Sequence, residues 1–342
     1  MDIPIQNIYY MLCYAWNKLE EHDIVSVDQT DKNNIEDLFA RVLVVGISHL
    51  LKKGLDRGYV VHKEETCLIR GKIDFTATLK KSFFKQPRIY CEYDELSYNV
   101  LHNQILKSTV LLLMHIDNLS EDNQRYLRGI YRRLAGVDCI EVGKKSFRLV
   151  QLHSNNYFYD FLLCICELIY DNLLPSEKKG RYKFRDFTRE KGMPALFEAF
   201  VRNFYKRELK GVKVGGEHID WDGMAIDEES RKVLPMMETD ISITFEERKI
   251  IIDTKYHKEA MQTNRGTEKL KSGNLYQLFA YLINSEAKGG VNKKCEGILL
   301  YPVVSDEHNY EYSIKGHRMA VKTINLNQDW QDIHKDLMNI VC

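Results

Sequence analysis

The chain has 342 residues, 44% hydrophobic and 29% charged, the balance of a globular protein long enough for two domains. Lys and Arg together number 49, as do Asp and Glu, so the formal net charge is zero and composition does not point to a strongly basic DNA-binding protein. No apolar run reaches the roughly 18 residues of a membrane span, and Asp2, Gln6 and Asn7 interrupt the N-terminal apolar stretch, which argues against a signal peptide.

Residues 3–20 read as a helix crowded with aromatic and aliphatic side chains, and residues 36–56 as a second helix ending near Gly54 or Gly58. Residues 58–100 change character. Tyr59–His62, Thr66–Arg70 and Arg88–Tyr93 are short strand-like runs separated by Gly, Lys and Pro, so a small β-rich element is expected within the N-terminal half. Residues 100–117 and 121–134 are helical again, and Tyr157–Leu174 is an apolar helix stopped by Pro175. Gly136–Ser146 has a phosphate-loop flavour and fails the test. The required first glycine is Asp138, and Lys144 precedes Lys145 rather than Ser or Thr, so no nucleotide-binding site is expected. The eight cysteines lack metal-ligand spacing; buried free thiols and a reduced, cytoplasmic setting are the expectation.

The polar stretch Ser176–Asp186 is the expected connection between a domain at 1–175 and one at 176–342. Beyond it come a helix near 194–209, strands near 216–222 and 239–255, a helix near 268–284 and a strand near 296–303. That order predicts an α/β or α+β second domain with a mixed sheet flanked by helices, because the strand pair at 239–255 is a hairpin and therefore antiparallel. The basic stretches Lys80–Lys85 and Lys206–Arg207 read first as solvated faces.

The hairpin carries the chemistry. Ile241, Ile243 and Phe245 alternate with Asp240, Ser242 and Thr244, Glu246–Glu247 form a polar turn, and Lys249–Lys255 is a second strand with a β-branched centre. With a two-residue loop, Phe245 faces Arg248, Asp240 lies opposite Asp253, and Lys255 follows Asp253 on one face. Like charges so opposed destabilise a hairpin unless a cation intervenes, and oxygen ligands of this kind suit Mg²⁺. The alternative is a solvated hairpin face.

Asp240 followed by Asp253-Thr254-Lys255 after an apolar strand resembles the metal-dependent PD-(D/E)xK nuclease motif, with Thr239 where the motif nominally has proline. That resemblance implies Asp240 and Asp253 as metal ligands, the Thr254 carbonyl as a further ligand, and Lys255 as the catalytic cation. Asn274–Tyr281 resembles the Gln-x-x-x-Tyr helix of RecB-like nucleases, which implies supporting roles for Gln277 and Tyr281. Glu198, on an amphipathic helix, resembles the glutamate that often completes the metal shell; alternatively it pairs with Arg202 at i,i+4. Segments in family order, from Ile3–Trp16 through Gly71–Phe75, Asn103–Lys107, Met237–Ile241, Asp253–Tyr256, Gly266–Lys269 and Asn274–Leu278 to Leu300–Pro302, are similar to the McrC family of McrBC modification-dependent restriction systems. The likeness implies an Mg²⁺-dependent endonuclease subunit acting on double-stranded DNA. It further implies an N-terminal half that docks on a hexameric McrB-type AAA+ GTPase and stimulates it. Exposed Arg or Asn side chains near Arg70–Lys72 or Asn99–Asn103 are docking candidates. A non-cleaving adaptor that activates the GTPase, and a RecB-like exonuclease acting alone, are the competing readings.

Overall fold

The computed structural model describes residues 3–18, 35–81, 88–117, 119–152, 156–175, 182–184, 192–223, 226–256, 261–264, 267–304 and 308–342. Most of Ser176–Asp186, most of Lys80–Lys85 and Gly266 lie outside them. The chain divides into two compact units, residues 24–185 and residues 1–23 joined with 186–342. A division at 175–176 is therefore corrected at the far end of the chain: the first helix belongs with the second half. The reason is visible in its sequence. Helix α1 (Ile5–Ala15) buries Ile8, Tyr9, Tyr10, Met11, Leu12, Cys13 and Tyr14, and a helix apolar nearly all round must be enclosed by partners.

The unit of residues 24–185 contains α2 (Ile35–Lys53), β1 (Gly58–Thr66), β2 (Lys72–Ile73), α3 (Phe75–Lys81), β3 (Ile89–Ser97), α4 (Leu101–Leu113), α5 (Glu121–Arg133), α6 (Lys144–Leu149), α7 (Tyr157–Asn172), β4 (Leu173–Pro175) and β5 (Tyr182–Phe184). Phe39, Val42 and Leu43 of α2, Ile105, Leu106 and Val110 of α4, and Phe161, Leu162 and Ile165 of α7 are fully buried and form its core. The β-rich element is an antiparallel sheet in the order β1-β3-β2. Thr66–Arg70 is not a separate strand: β1 ends at Thr66 and the chain bends toward β2. Asn103 is buried, and its amide donates to the carbonyls of Asp56 (3.0 Å) and Tyr98 (2.8 Å). Asn99 Oδ1 accepts from the Asp138 N–H at 2.8 Å, so both asparagines are engaged within the unit, whereas Arg70 and Lys72 remain exposed. Gly136–Ser146 runs as turn and coil into the six-residue α6, without the preceding strand that a phosphate loop needs.

The other unit adds α8 (Gly192–Glu208), β6 (Lys213–Ile219), α9 (Glu228–Val233), β7 (Met237–Thr244), β8 (Lys249–Thr254), β9 (Met261–Asn264), β10 (Thr267–Leu270), α10 (Ser272–Ser285), β11 (Glu296–Val303), β12 (Asn309–Ile314), β13 (His317–Asn325) and α11 (Trp330–Val341). Six strands form one sheet in the order β12-β13-β11-β8-β7-β6. β11 is parallel to β8 and β13 and the remaining pairs are antiparallel, the mixed sheet expected. β8 is central, which is why Lys249–Asp253 is buried throughout. Buried Lys249 is offset by an ion pair with Glu217 and a 2.8 Å hydrogen bond to Asn292 Oδ1. Helix α10 lays Leu278, Tyr281 and Leu282 on Ile251, Leu299, Tyr301 and Val321. A Cβ at Gly297 would fall 2.9 Å from Leu282 and 3.0 Å from Leu278, so glycine sets this close helix–sheet approach. Each such large apolar side chain contributes about 1.5–3 kcal/mol on burial.

Helix α1 finds its partners here. Tyr10 and Tyr14 pack on Phe200 of α8 with ring centroids 5.9 and 5.6 Å away. Asn203 Nδ2 caps the end of α1 by donating to the carbonyls of Tyr14 (3.1 Å) and Ala15 (2.8 Å). Asn7 Nδ2 donates to the Leu326 and Gln328 carbonyls at 2.9 and 2.8 Å. A fragment of residues 1–180 carries α1 without these partners and is expected to aggregate, whereas residues 24–185 should be soluble and helical. Size-exclusion chromatography with circular dichroism checks this; a monodisperse, folded 1–180 fragment beside an unfolded 24–185 fragment would reverse the boundary.

Among the described residues no helix is long and apolar enough to cross a membrane. The burial expected of the cysteines holds for Cys13, Cys91, Cys166 and Cys295, whereas Cys67, Cys139 and Cys342 are exposed.

Candidate active site

The hairpin register is the one the short loop demands. Phe245 N–H donates to Arg248 O at 2.9 Å, and Ile243↔Ile250 and Ile241↔Ile252 are paired. Continued one step, that register would set Asp240 opposite Asp253, but the pairing ends at Ile241↔Ile252. There the strands part. In an alternating antiparallel ladder the Thr254 N–H would next reach the Thr239 carbonyl. It donates instead to Asp240 Oδ2 at 2.8 Å, and the Thr254 hydroxyl donates to the same oxygen at 2.8 Å. Oδ1 accepts no hydrogen bond among the described residues.

The other edge of β7 shows why Asp240 is free to turn. Gly215 pairs with Ser242 and Glu217 with Thr239, so Asp240 and Ile241 together face Gly216: a β-bulge. A Cβ at Gly216 would lie 3.2 Å from Thr239 O, so glycine eases the irregular pairing. The polar groups that the bulge displaces find other partners. Arg202 Nε donates to the Asp240 carbonyl at 3.0 Å, and Glu217 N–H donates to Thr239 Oγ1 at 3.0 Å. Thr239, standing where the motif nominally has proline, thus has a task of its own.

Asp253 is fully buried, and among the described residues no donor other than the Lys255 ammonium approaches its carboxylate oxygens. Its one close counter-charge among the described residues is the Lys255 ammonium, 2.7 Å from Oδ2. Burial pushes the Asp253 carboxyl up to about 6; Lys255 pulls it down, and the charges of Asp240 and Glu198 raise it further. A carboxylate buried this deeply, with a single counter-charge on one oxygen, is the kind of group a cation completes. Glu198, on α8, lies close enough to be raised by burial and by Asp240, but it is ion-paired to Arg202. The i,i+4 pairing is therefore real, and it coexists with proximity to the carboxylates. Among the described residues no three His, Cys, Asp or Glu side chains form a ready-made metal shell. Asp240 Oδ1 and the Asp253 carboxylate fit an ion that keeps several of its waters, as Mg²⁺ does.

Helix α10 closes the site on another side. Gln277 Nε2 donates to Tyr281 Oη at 2.8 Å; Tyr281 is buried, and its hydroxyl is raised by burial and by Asp253 and Asp240, while Gln277 lowers it. Asn274 Nδ2 donates to Tyr301 Oη at 2.9 Å. Tyr256, next to Lys255, packs on Phe197 with centroids 6.3 Å apart, and its buried hydroxyl has no partner among the described residues. Asp240, Asp253, Lys255 and Thr254 are thus gathered at one end of the hairpin, with Glu198 and Tyr281 electrostatically in reach. Arg202, Thr239 and Gly216 are the members that motif spacing does not disclose; the Gly215–Gly216 pair inside a strand is their sequence signal.

The model of the McrBC 5-methylcytosine restriction system component family matches residues 5–302. The Type IV methyl-directed restriction enzyme EcoKMcrBC of Escherichia coli (strain K12) is 34% identical over 339 residues, covering 99% of this chain and 97% of that protein. A chain in the half-complex refined from a tetradecameric assembly of Thermococcus gammatolerans McrB AAA+ hexamers with bound McrC has a similar fold. It superposes with a TM-score of 0.56 at 15% identity, covering 96% of this chain and 76% of that one. A chain of the cryo-EM structure of the Thermococcus gammatolerans McrBC complex matches at a TM-score of 0.45 and 21% identity, over 60% of this chain and 58% of that one.

Proposed function

The chain belongs to the McrBC 5-methylcytosine restriction system component family, and on that footing we propose that it is the Mg²⁺-dependent DNA endonuclease subunit of a GTP-driven, methylcytosine-directed restriction complex. The observation that carries the reading is the convergence of Asp240, buried Asp253 and Lys255 where β7 and β8 part. Asp240, Asp253 and the Thr254 carbonyl would hold the ion, with Glu198 available once released from Arg202. A bound Mg²⁺ supplies an activated water and neutralises charge on a phosphodiester. Lys255 places a positive charge beside the same carboxylate, where it can orient the attacking water and offset negative charge building on phosphorus. Tyr281, whose hydroxyl accepts from Gln277, stands within electrostatic reach of Asp253 and Asp240 and supports the site.

The unit of residues 24–185 is the proposed docking module for an McrB-type AAA+ GTPase ring. Its small sheet presents Tyr59, Val61 and Leu96, and the neighbouring segments present Leu68, Ile69, Phe75 and Leu79, all exposed and apolar. Exposed apolar side chains on and beside a small sheet support the reading of this unit as a protein-contact module. Arg70, whose guanidinium lies 5.7 Å from the Tyr93 ring, is an exposed arginine of the same unit.

The test is cleavage of methylated duplex DNA by the purified chain with the cognate GTPase, GTP and Mg²⁺. Cleavage that needs all of these is expected; GTPase stimulation without cleavage would favour the adaptor reading. The isolated chain should bind GTP negligibly, because Gly136–Ser146 offers no strand-backed glycine loop. Saturable GTP binding in equilibrium dialysis would contradict this.

A further inference from the structure

The way Asp240 is held points to a positioning residue that the nuclease motif does not specify. The bulge opposite Gly216 turns the Asp240 carboxylate into the gap between β7 and β8. There two donors of one residue, the N–H and the hydroxyl of Thr254, converge on the single oxygen Oδ2, each at 2.8 Å. Two donors on one oxygen hold it more tightly than one, and because the carboxylate is planar, holding Oδ2 sets where Oδ1 points. They also commit Oδ2 and leave Oδ1 for a ligand. The N–H half of this grip comes with any residue at this position. The hydroxyl half does not: it requires Thr or Ser between the acid and the lysine. Arg202, on the Asp240 carbonyl, holds the backbone of the bulge but does not touch its carboxylate.

We propose that the Thr254 hydroxyl is a positioning group that presents Asp240 Oδ1 to the divalent ion and thereby sets the protein's Mg²⁺ affinity. The proposal rests on the endonuclease reading for the identity of the ion. Outer partners that orient a ligating carboxylate change metal affinity about 10- to 100-fold when removed. Thr254→Val keeps the volume and the β-branching suited to a strand and deletes only the donor; Thr254→Ser restores it.

The experiment uses the full-length chain and three variants, Thr254→Val, Thr254→Ser and Asp240→Asn. Titration calorimetry with MgCl₂ in the absence of DNA gives the affinity directly. The Mg²⁺ dependence of cleavage with the partner GTPase gives the second readout, and thermal melts without divalent ions report folding. Thr254→Val is expected to weaken Mg²⁺ binding by about 10-fold or more. It should move the cleavage midpoint to higher Mg²⁺ by the same factor and recover most of its rate at saturating Mg²⁺. Thr254→Ser should track the wild type, and Asp240→Asn should lose Mg²⁺ binding. If Asp240→Asn loses the ion and Thr254→Val binds it as the wild type does, the positioning role is overturned and the nuclease reading stands. If Asp240→Asn binds Mg²⁺ unchanged, the metal site itself is misassigned and both fall. A Thr254→Val protein that melts early yet binds Mg²⁺ normally also overturns the proposal, since its hydroxyl then serves folding alone.

Discussion

Asp253→Asn is expected to abolish DNA cleavage, by at least about 10²-fold, the scale on which loss of one preorganised polar group lowers kcat. It should at the same time make the metal-free protein more stable at neutral and alkaline pH. The sign follows from burial. Asp253 is held at about 6 in the folded chain against an ordinary value of 3.8. Below pH 3.8 the carboxyl is protonated in both folded and unfolded chains and carries no penalty. As pH rises toward 6, the unfolded chain releases the proton and the folded chain retains it, so stability declines; above 6 the full cost of a buried charge is present. At roughly 1.4 kcal/mol per pH unit that cost is on the order of 3 kcal/mol. Asparagine cannot ionise and avoids it, less the smaller cost of a buried amide. Mg²⁺ reverses the order, because only the wild type gains stability from binding the ion. Melting curves at pH 8 with EDTA and with Mg²⁺ check both halves. A variant that melts below the wild type in EDTA would show that the buried charge carries no such cost, and one that still cuts would remove Asp253 from the site.

Lys255→Met should reduce cleavage to a similar extent while leaving Mg²⁺ binding in place. The side chain is 19% exposed, and its ammonium sits 2.7 Å from Asp253 Oδ2, so among the described residues it is the one close positive charge balancing that carboxylate. Without it the carboxyl, already raised by burial, rises further, and the metal-free site is more readily protonated at neutral pH. Saturating Mg²⁺ at pH 8 restores ionisation but not the charge that faces the phosphodiester. The expected signature is a low kcat that excess Mg²⁺ does not rescue, beside calorimetric Mg²⁺ binding within a few-fold of the wild type at that pH. Full rescue by Mg²⁺ would reduce Lys255 to a counter-ion that metal replaces.

Both variants change residues whose placement is legible in the sequence. Strand alternation from Ile241 to Phe245, a two-residue polar turn and an apolar run into Asp253 define the hairpin and its register. Side chains in a strand alternate with period two, so a short turn leaves one consistent pairing. Once a two-residue loop is assumed, spacing sets Asp240 toward Asp253, and α10 and β11 are likewise legible from local pattern. The C-terminal pair β12–β13 and helix α11 have no counterpart among the elements that local pattern predicts.

Three things were decided by tertiary structure. Helix α1 joins the C-terminal unit because Phe200, Phe204 and Asn203 receive it, contacts nearly two hundred residues away in sequence that no local periodicity encodes. The burial of Asp253 is a consequence of β8 lying between β7 and β11, and that burial, not the residue's identity, raises its carboxyl. The bulge at Asp240 depends on Gly216, Arg202 and Thr254 arriving from three separate elements. The sequence by itself determined which groups are present and on which strands; the packing of those strands and of α8 determined their charge state and aim, because solvation and hydrogen-bond direction are set by neighbours in space.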